Sequence, residues 1–400
     1  MPVLQFKGKT AVENYHHTVP HHRLEFDAKL SLLPKGEKPS LDGNLIIEGD
    51  NLLALKALLP THAGKVKCIY IDPPCNTGNE GWVYNDNLTQ PQFKEWIGRT
   101  VGKEGEDACR HDKWCCMMYP RLTLLRELLR EDGVLFISIN DIELHHLRLL
   151  LDEVFGVENF VATIVWQKSK RGDAHLIATI HEYIVCILKD HRAISDNVRW
   201  RKRKLGVDEV LAHYDALAKE HVGAHGAIRK AMQKWYRSLP KNDVRKAHKH
   251  YNWSDDRGLY FAADFAGPDD GRESRPRYEI IHPVTKKPCA KPSTGWRWDE
   301  AKTKAALAER PPRIHFGADE TTVPCRKTYL KDVTAEPFTT VLYRDGRAGT
   351  LTLEQILGPG LMDFPKDKDT LAELIALCTK PDDIILDSFA GSGTTAHAVL

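Results

Sequence analysis

Short apolar runs alternate with segments of helical period along much of this chain, and few architectures satisfy that pattern. Leu45-Ile46-Ile47 is followed by Leu52, Leu53, Leu55, Leu58 and Leu59 at helical spacing, then by the apolar run Val66 to Ile71. Pro60 and Gly64 are placed to close the intervening helix. The unit reads as strand, helix, strand in about thirty residues, the size of a parallel crossover. The pattern recurs. Leu122, Leu125, Leu128 and Leu129 predict a helix ending at Asp132-Gly133, and Val134 to Ile139 predicts a buried strand. A helix from Ile142 to Phe155, stopped by Gly156, precedes two β-rich stretches, Phe160 to Gln167 and Tyr183 to Leu188, that predict a hairpin at the sheet edge. Near the carboxyl end, Leu371, Leu374, Ile375 and Cys378 have helical spacing, Pro381-Asp382-Asp383 predicts a turn, and Ile384 to Asp387 predicts a strand. The expected class is α/β with a mainly parallel sheet.

Composition narrows the function without naming it. The chain has 400 residues, 42% of them hydrophobic, which excludes a disordered or fibrous protein and predicts two or three domains. Lys and Arg number 57 against 55 Asp and Glu, so a uniformly basic coat for nucleic acid is excluded, while a local basic face is not. Such a face exists: residues 189 to 249 hold sixteen Lys or Arg and seven Asp or Glu. The segment includes Arg201-Lys202-Arg203-Lys204, with Trp200, Tyr214, Trp235, Tyr236, Tyr251 and Trp253 interleaved through and beyond it. A charge run is usually a solvated face, but basic and aromatic residues together favour a phosphate-backbone surface. Residues 255 to 312, rich in Gly, Pro and Arg, predict an irregular or β-rich insert. The histidines His16, His17, His21 and His22 and the stretch Pro34 to Ser40 predict a solvated lead-in. Nine cysteines, Cys109 among them, contain no C-x-x-C pair, which predicts reduced structural thiols and no metal site. No run of 18 apolar residues and no secretory signal occurs, so a cytoplasmic protein without membrane contact is expected.

Two motifs carry chemistry. Asp72-Pro73-Pro74 ends an apolar strand, where α/β sheets place ligand chemistry. The prolines donate no N–H and stiffen the chain, so one carboxylate and one free carbonyl can accept both hydrogens of an exocyclic amine. Asp387-Ser388-Phe389-Ala390-Gly391-Ser392-Gly393 turns a strand into a helix whose N-terminus favours a negative group. It matches neither the P-loop nor the full dinucleotide fingerprint. Each alone reads equally as a turn.

Together with the basic insert, these motifs resemble the amino-methylating DNA methyltransferases of the permuted β group. Ile69 to Gly78, with Asp72-Pro73-Pro74-Cys75-Asn76-Thr77-Gly78, resembles their catalytic motif IV, Gly49-Asp50 motif III, and Leu386 to Thr395 motif I. His181-Glu182-Tyr183-Ile184 and Phe364-Pro365-Lys366 are similar to segments of type III restriction-modification modification subunits. The resemblance implies a Rossmann-like sheet with an inserted target-recognition domain. Its expected divisions are a lead-in at 1–43, a catalytic part at 44–188, a DNA-binding insert at 189–355 and a cofactor part at 356–400.

The implied reaction moves a methyl from S-adenosylmethionine to N6 of an adenine flipped out of duplex DNA. Asp72 and the Pro73 carbonyl would hold the amine, within a catalytic loop of Asp72, Pro73, Pro74 and Cys75. Asp387, Phe389, Gly391 and Gly393 would cradle the cofactor's methionine part, with Lys366 lining the same pocket and Asp50 at the cofactor's adenine. Arg201, Lys202, Arg203 and Lys204 would bind DNA. A homodimer and a separate restriction subunit are implied partners. Cytosine-N4 transfer and a catalytically silent DNA-recognition subunit are the alternative readings.

Two departures stand out. The family has Tyr or Phe where this chain has Cys75, and loss of a base-stacking ring worth about 1 to 3 kcal/mol predicts a roughly tenfold to hundredfold lower activity. A nucleophilic role for Cys75, as in cytosine-C5 enzymes, does not suit the motif context. The family's strand after motif I is not found before Leu400, so the expectation is a truncated cofactor part and an unsatisfied sheet edge.

Overall fold

The computed structural model describes residues 3–33, 36–38, 40–41, 43–76, 110–170, 172, 174–271, 274–362 and 364–400. Thr77, Gly78, Cys109 and part of the Pro34 to Ser40 stretch lie outside them. The chain divides into two compact units, Met1–Trp200 with Phe338–Leu400, and Arg201–Pro337.

The first unit is built on a six-stranded sheet of β1 (Val66–Ile71), β2 (Leu129–Ile139), β3 (Phe160–Gln167), β4 (His181–Leu188), β5 (Val341–Tyr343) and β6 (Ile384–Leu386). Their spatial order is β5-β3-β4-β2-β1-β6. β1 pairs in parallel with both β6 and β2, β4 runs antiparallel to β2 and β3, and β5 is parallel to β3. Besides two single-turn helices, Lys9–Val12 and Tyr15–Thr18, the described helices of this unit include α1 (Asn51–His62), α2 (Arg110–Leu128), α3 (Leu144–Phe155), α4 (Arg347–Leu357), α5 (Lys368–Cys378) and α6 (Thr394–Val399).

β1 shows why its sequence reads as an unbroken apolar run. Ile69 and Ile71 enter a core with Leu55 of α1, Leu122 and Leu125 of α2 and Leu147 of α3. Cys68 and Tyr70 face the other way, into a core with Leu371, Leu374 and Ile375 of α5. Both faces are covered, so no position on the strand can be polar without an interior partner. Gly156 ends α3 at φ 97°, and Asp50 caps α1 by accepting from the Leu52 and Leu53 N–H groups at 2.8 and 3.3 Å.

The structure corrects several expectations. Leu45-Ile46-Ile47 forms no strand, and the Ile46 side chain is fully exposed. β6 is the sheet edge among the described residues, so this short run has no strand beside it to satisfy its backbone. The β3–β4 hairpin forms, but β5 pairs outside β3 and takes the edge. β2 starts at Leu129, with Val66 opposite Leu129 and Cys68 opposite Val134, so Asp132-Gly133 sits in an irregularity inside the strand. The helix α1 runs through Pro60 to His62. The lead-in is not simply solvated either. Val12 and Val19 are buried against the α2 core, Lys9 pairs with Glu153 at 2.8 Å, and Lys56 donates to the His16 carbonyl. Those contacts come from irregularly spaced residues, which no periodicity signal detects.

The second unit opens and closes on an antiparallel ribbon, Arg201–Arg203 with Ala335–Pro337. Helices Val207–Glu220 and His225–Ser238 pack through Val210, Tyr214, Ile228, Met232 and Tyr236. A four-stranded antiparallel sheet follows, built from Trp253–Asp255, Gly258–Ala263, Cys325–Tyr329 and Ile314–His315 in that spatial order. This unit is narrower than 189–355 at both ends. Trp200 joins the core on the α5 face of the sheet, and β5 belongs to the sheet itself, facts that charge counts do not report.

Candidate active site

β1 and β6 are parallel neighbours, with Ile69 opposite Leu386, so the loops beginning at Asp72 and Asp387 leave the same end of the sheet side by side. Between them lies an open cleft of about 320 Å³, solvent included, lined among others by Tyr70, Asp72, Lys366, Asp387, Phe389 and Gly391. The structure thus joins two motifs that lie more than 300 residues apart in the sequence. Gly391 and Gly393 sit at φ 53° and 74°, in the left-handed region where a side chain is disfavoured. Asp387 Oδ1 accepts from the Phe389 N–H at 2.9 Å and Oδ2 from the Thr395 hydroxyl at 2.5 Å. Burial outweighs those bonds and lifts the Asp387 carboxyl to about 6, with Asp72 adding to the rise. Phe389 is also nearly buried in the α1–α3 core, so its ring fixes the loop as well as lining the cleft.

Around Asp72 the structure builds a charge cluster. Lys366 Nζ lies 2.9 Å from Asp72 Oδ2 and 3.4 Å from Glu182 Oε2, and Lys168 also pairs with Glu182. Burial pushes the Asp72 carboxyl up, Lys366 opposes that rise, and Glu182 adds to it. Burial would lower Lys366, but the two carboxylates prevail and hold its ammonium well above the usual lysine value. Lys168, partly desolvated and repelled by Lys366, is lowered. Two carboxylates and two ammonium groups therefore balance, and Asp72 is held beside a fixed cation.

Neighbouring contacts stiffen the loops. Trp114 Nε1 donates to the Pro74 carbonyl at 2.8 Å, and the Tyr70 hydroxyl and Ser138 Oγ share a 2.6 Å hydrogen bond beneath. Asn51 donates to the Ser388 carbonyl and accepts from Arg121, which also lies 3.8 Å from Asp50, so α1 and α2 together brace the Asp387 loop. Cys75 is half-buried, and burial followed by the nearby Asp72 pushes its thiol up to about 11. A neutral thiol is a poor nucleophile at ordinary pH. Lys168 belongs to no run with a chemical signature, and Glu182 stands in the family-like His181-Glu182-Tyr183-Ile184 segment, which by itself assigns it no role in the site. The tetrad lies in the second unit: Arg201 is exposed, Lys202 approaches Glu336 at 3.9 Å, and Arg203 Nε donates to Asp208 at 2.7 Å.

Two parallel strands present a carboxylate-proline loop and a glycine turn at one end of a Rossmann-like sheet, with the Asp72 loop first in the chain and the glycine turn last. A family model for N6/N4 DNA methylases matches residues 66–400, and this chain belongs to that family. The EcoP15I Mod subunit, a type III restriction-modification enzyme of Escherichia coli, is 35% identical over 374 residues, which cover 89% of this chain and 55% of that protein. The EcoPI Mod subunit of Escherichia phage P1 is 32% identical, covering 89% and 54%. The type II methyltransferase M.KpnI of Klebsiella pneumoniae is 29% identical, covering 88% and 75%. The chain spans about half the length of the two Mod relatives. No helix among the described residues is long and apolar enough to cross a membrane.

Proposed function

We propose that this chain transfers a methyl group from S-adenosylmethionine to N6 of adenine in double-stranded DNA. The observation that carries the reading is the adjacency of Asp72 and Asp387 at one end of the sheet, with Lys366 between the charge cluster and the cleft. The cleft residues fit the cofactor. Asp387 offers a carboxylate to a cationic group and Gly391, at a left-handed φ, allows close backbone approach, while Gly393 and the buried, unpartnered Ser388 Oγ lie in the same turn just outside the cleft lining. When bound, S-adenosylmethionine supplies an electrophilic methyl on sulfonium. Asp72 and the Pro73 carbonyl accept the two amine hydrogens and turn the nitrogen lone pair toward that methyl, so positioning and electrostatics lower the barrier. The N–C bond would form as the C–S bond breaks and a neutral thioether leaves; the ionised Asp72 would stabilise the positive charge on nitrogen until one amine proton is lost to solvent.

Nucleoside analysis by mass spectrometry after incubation with unmethylated DNA tests the reading. The expected product is 6-methyladenine. A 4-methylcytosine product would overturn the base assignment, and no transfer with retained DNA binding would identify a silent recognition subunit. In the same assay, Cys75→Tyr is expected to raise kcat/KM about tenfold to a hundredfold by restoring a stacking ring, with Cys75→Ala unchanged. No gain from tyrosine would remove the stacking explanation.

The second unit is the proposed target-recognition domain, supported by its charge excess. Neutralising Arg201, Lys202, Arg203 and Lys204 together should weaken DNA binding on all sequences and flatten the salt dependence by about two to three units of slope. Four is not expected, because Asp208 already meets the Arg203 charge. An unchanged slope would remove the tetrad from the interface. The Mod relatives also support a type III restriction subunit as partner; that partner and a second copy of this chain, which the motif resemblance implies, are both measurable by light scattering of the purified components.

A further inference from the structure

Away from the cleft, three side chains converge that the methyl-transfer reading does not use. Glu143 has a fully buried side chain; His111 Nδ1 lies 2.7 Å from its Oε1 and His146 Nδ1 lies 2.8 Å from its Oε2. The third contact is Asn76, whose Nδ2 donates to Oε1 at 2.5 Å. Among the described residues no lysine or arginine pairs with Glu143, so a buried carboxylate rests on an amide and two imidazoles, none of them a permanent cation. A buried charge in that setting calls for a compensating positive charge.

We propose that His111, Glu143 and His146 bind one divalent transition-metal ion of the zinc class. The donor set is two imidazoles and one carboxylate, suited to zinc, nickel or cobalt rather than to calcium or magnesium. Their ligand atoms all lie within 4.8 Å of one another. The local sequence fits as well: Glu143 and His146 are three apart at the start of α3, which puts both on one face, and His111 comes from the first turn of α2. A carboxylate has lone pairs for more than one partner, so one oxygen can ligate the ion while the other keeps the Asn76 hydrogen bond. Asn76 directly follows Asp72-Pro73-Pro74-Cys75 and holds a left-handed φ of 55°. The ion would therefore clamp the strained residue that ends the catalytic loop. The side chains of His111 and His146 keep 33% and 20% of their surface exposed, which gives the ion an entry path.

The test uses the full chain stripped with a chelator and then titrated calorimetrically with zinc chloride, with cobalt(II) absorption in parallel. One saturable equivalent is expected, a cobalt spectrum without thiolate charge-transfer bands, and a zinc-dependent rise in unfolding temperature. His146→Gln and Glu143→Gln should each weaken zinc binding by about tenfold or more. Glu143→Gln retains a carbonyl oxygen for Asn76, so it keeps the test valid if a histidine variant fails to fold. Zinc affinity unchanged in both variants, thiolate bands in the cobalt spectrum, or no saturable binding to the wild type would overturn the site and leave a carboxylate–imidazole hydrogen-bond network only.

Discussion

Replacing Asp72 with asparagine is expected to lower methyl transfer by about a hundred- to a thousandfold, the usual cost of deleting one preorganised electrostatic contact to a transition state. The substitution changes little else. Asparagine has nearly the same shape, still ends β1 and still offers one carbonyl oxygen to an amine hydrogen. It lacks the negative charge that, in the proposed mechanism, meets the cation developing on nitrogen. Folding should tolerate it, because burial already penalises the ionised Asp72, and Lys366 keeps Glu182 as a partner. Thermal unfolding within a few degrees of wild type, unchanged DNA affinity and a collapsed single-turnover rate form the expected set. A rate within about threefold of wild type would mean that the carboxylate is not part of the chemistry.

Much of this arrangement was legible in the sequence, for physical reasons that also mark the limit. β1 and α3 are read nearly to their bounds, and β2 from Val134 onward, because each is buried and patterned, and the Asp72 and Asp387 loops are visible because turns at strand ends need proline and glycine. Asp50 is expected at the cofactor's adenine through its resemblance to motif III, and the structure shows it in a role that resemblance does not announce, capping α1. What the sequence conceals is pairing across long separations. β5 is three residues long and joins β3 from nearly 180 positions away, so nothing local announces it. Glu182 and Lys168 become site residues only when β3 and β4 bring them to Lys366. Leu45 to Ile47 shows the reverse error: its composition suits a strand, but a strand exists only where a neighbour accepts its hydrogen bonds. The same reasoning applies to Glu143, Asn76, His111 and His146, whose grouping depends on α2 and α3 meeting at the end of the loop.

Replacing Lys366 with methionine should be nearly as damaging as losing Asp72, with a different signature. Lys366 is the leading influence that keeps Asp72 ionised against burial and against Glu182. Without it the Asp72 carboxyl rises further, and in the proposed mechanism, where the carboxylate holds the amine in its ionised form, that form is then available only at higher pH. The acid limb of the kcat/KM profile should therefore move to higher pH, costing about tenfold at neutral pH for each unit by which Asp72 exceeds it, and the rate should recover as pH rises. Stability should shift in a linked way. An acid whose folded pKa lies above its unfolded value contributes full stability below the unfolded value and loses it as pH rises through the folded one. The methionine variant should thus lose unfolding temperature more steeply than wild type on the alkaline side of the ordinary carboxylate range. Removing one partner of a fully buried pair costs about 3 to 5 kcal/mol. The cost here should be smaller, because Asp72 keeps 31% of its side-chain surface exposed and Lys168 still pairs with Glu182. Lys366→Arg should restore both profiles in large part. A methionine variant whose rate falls equally at every pH would show that Lys366 serves packing or cofactor contact and does not set the charge state of Asp72.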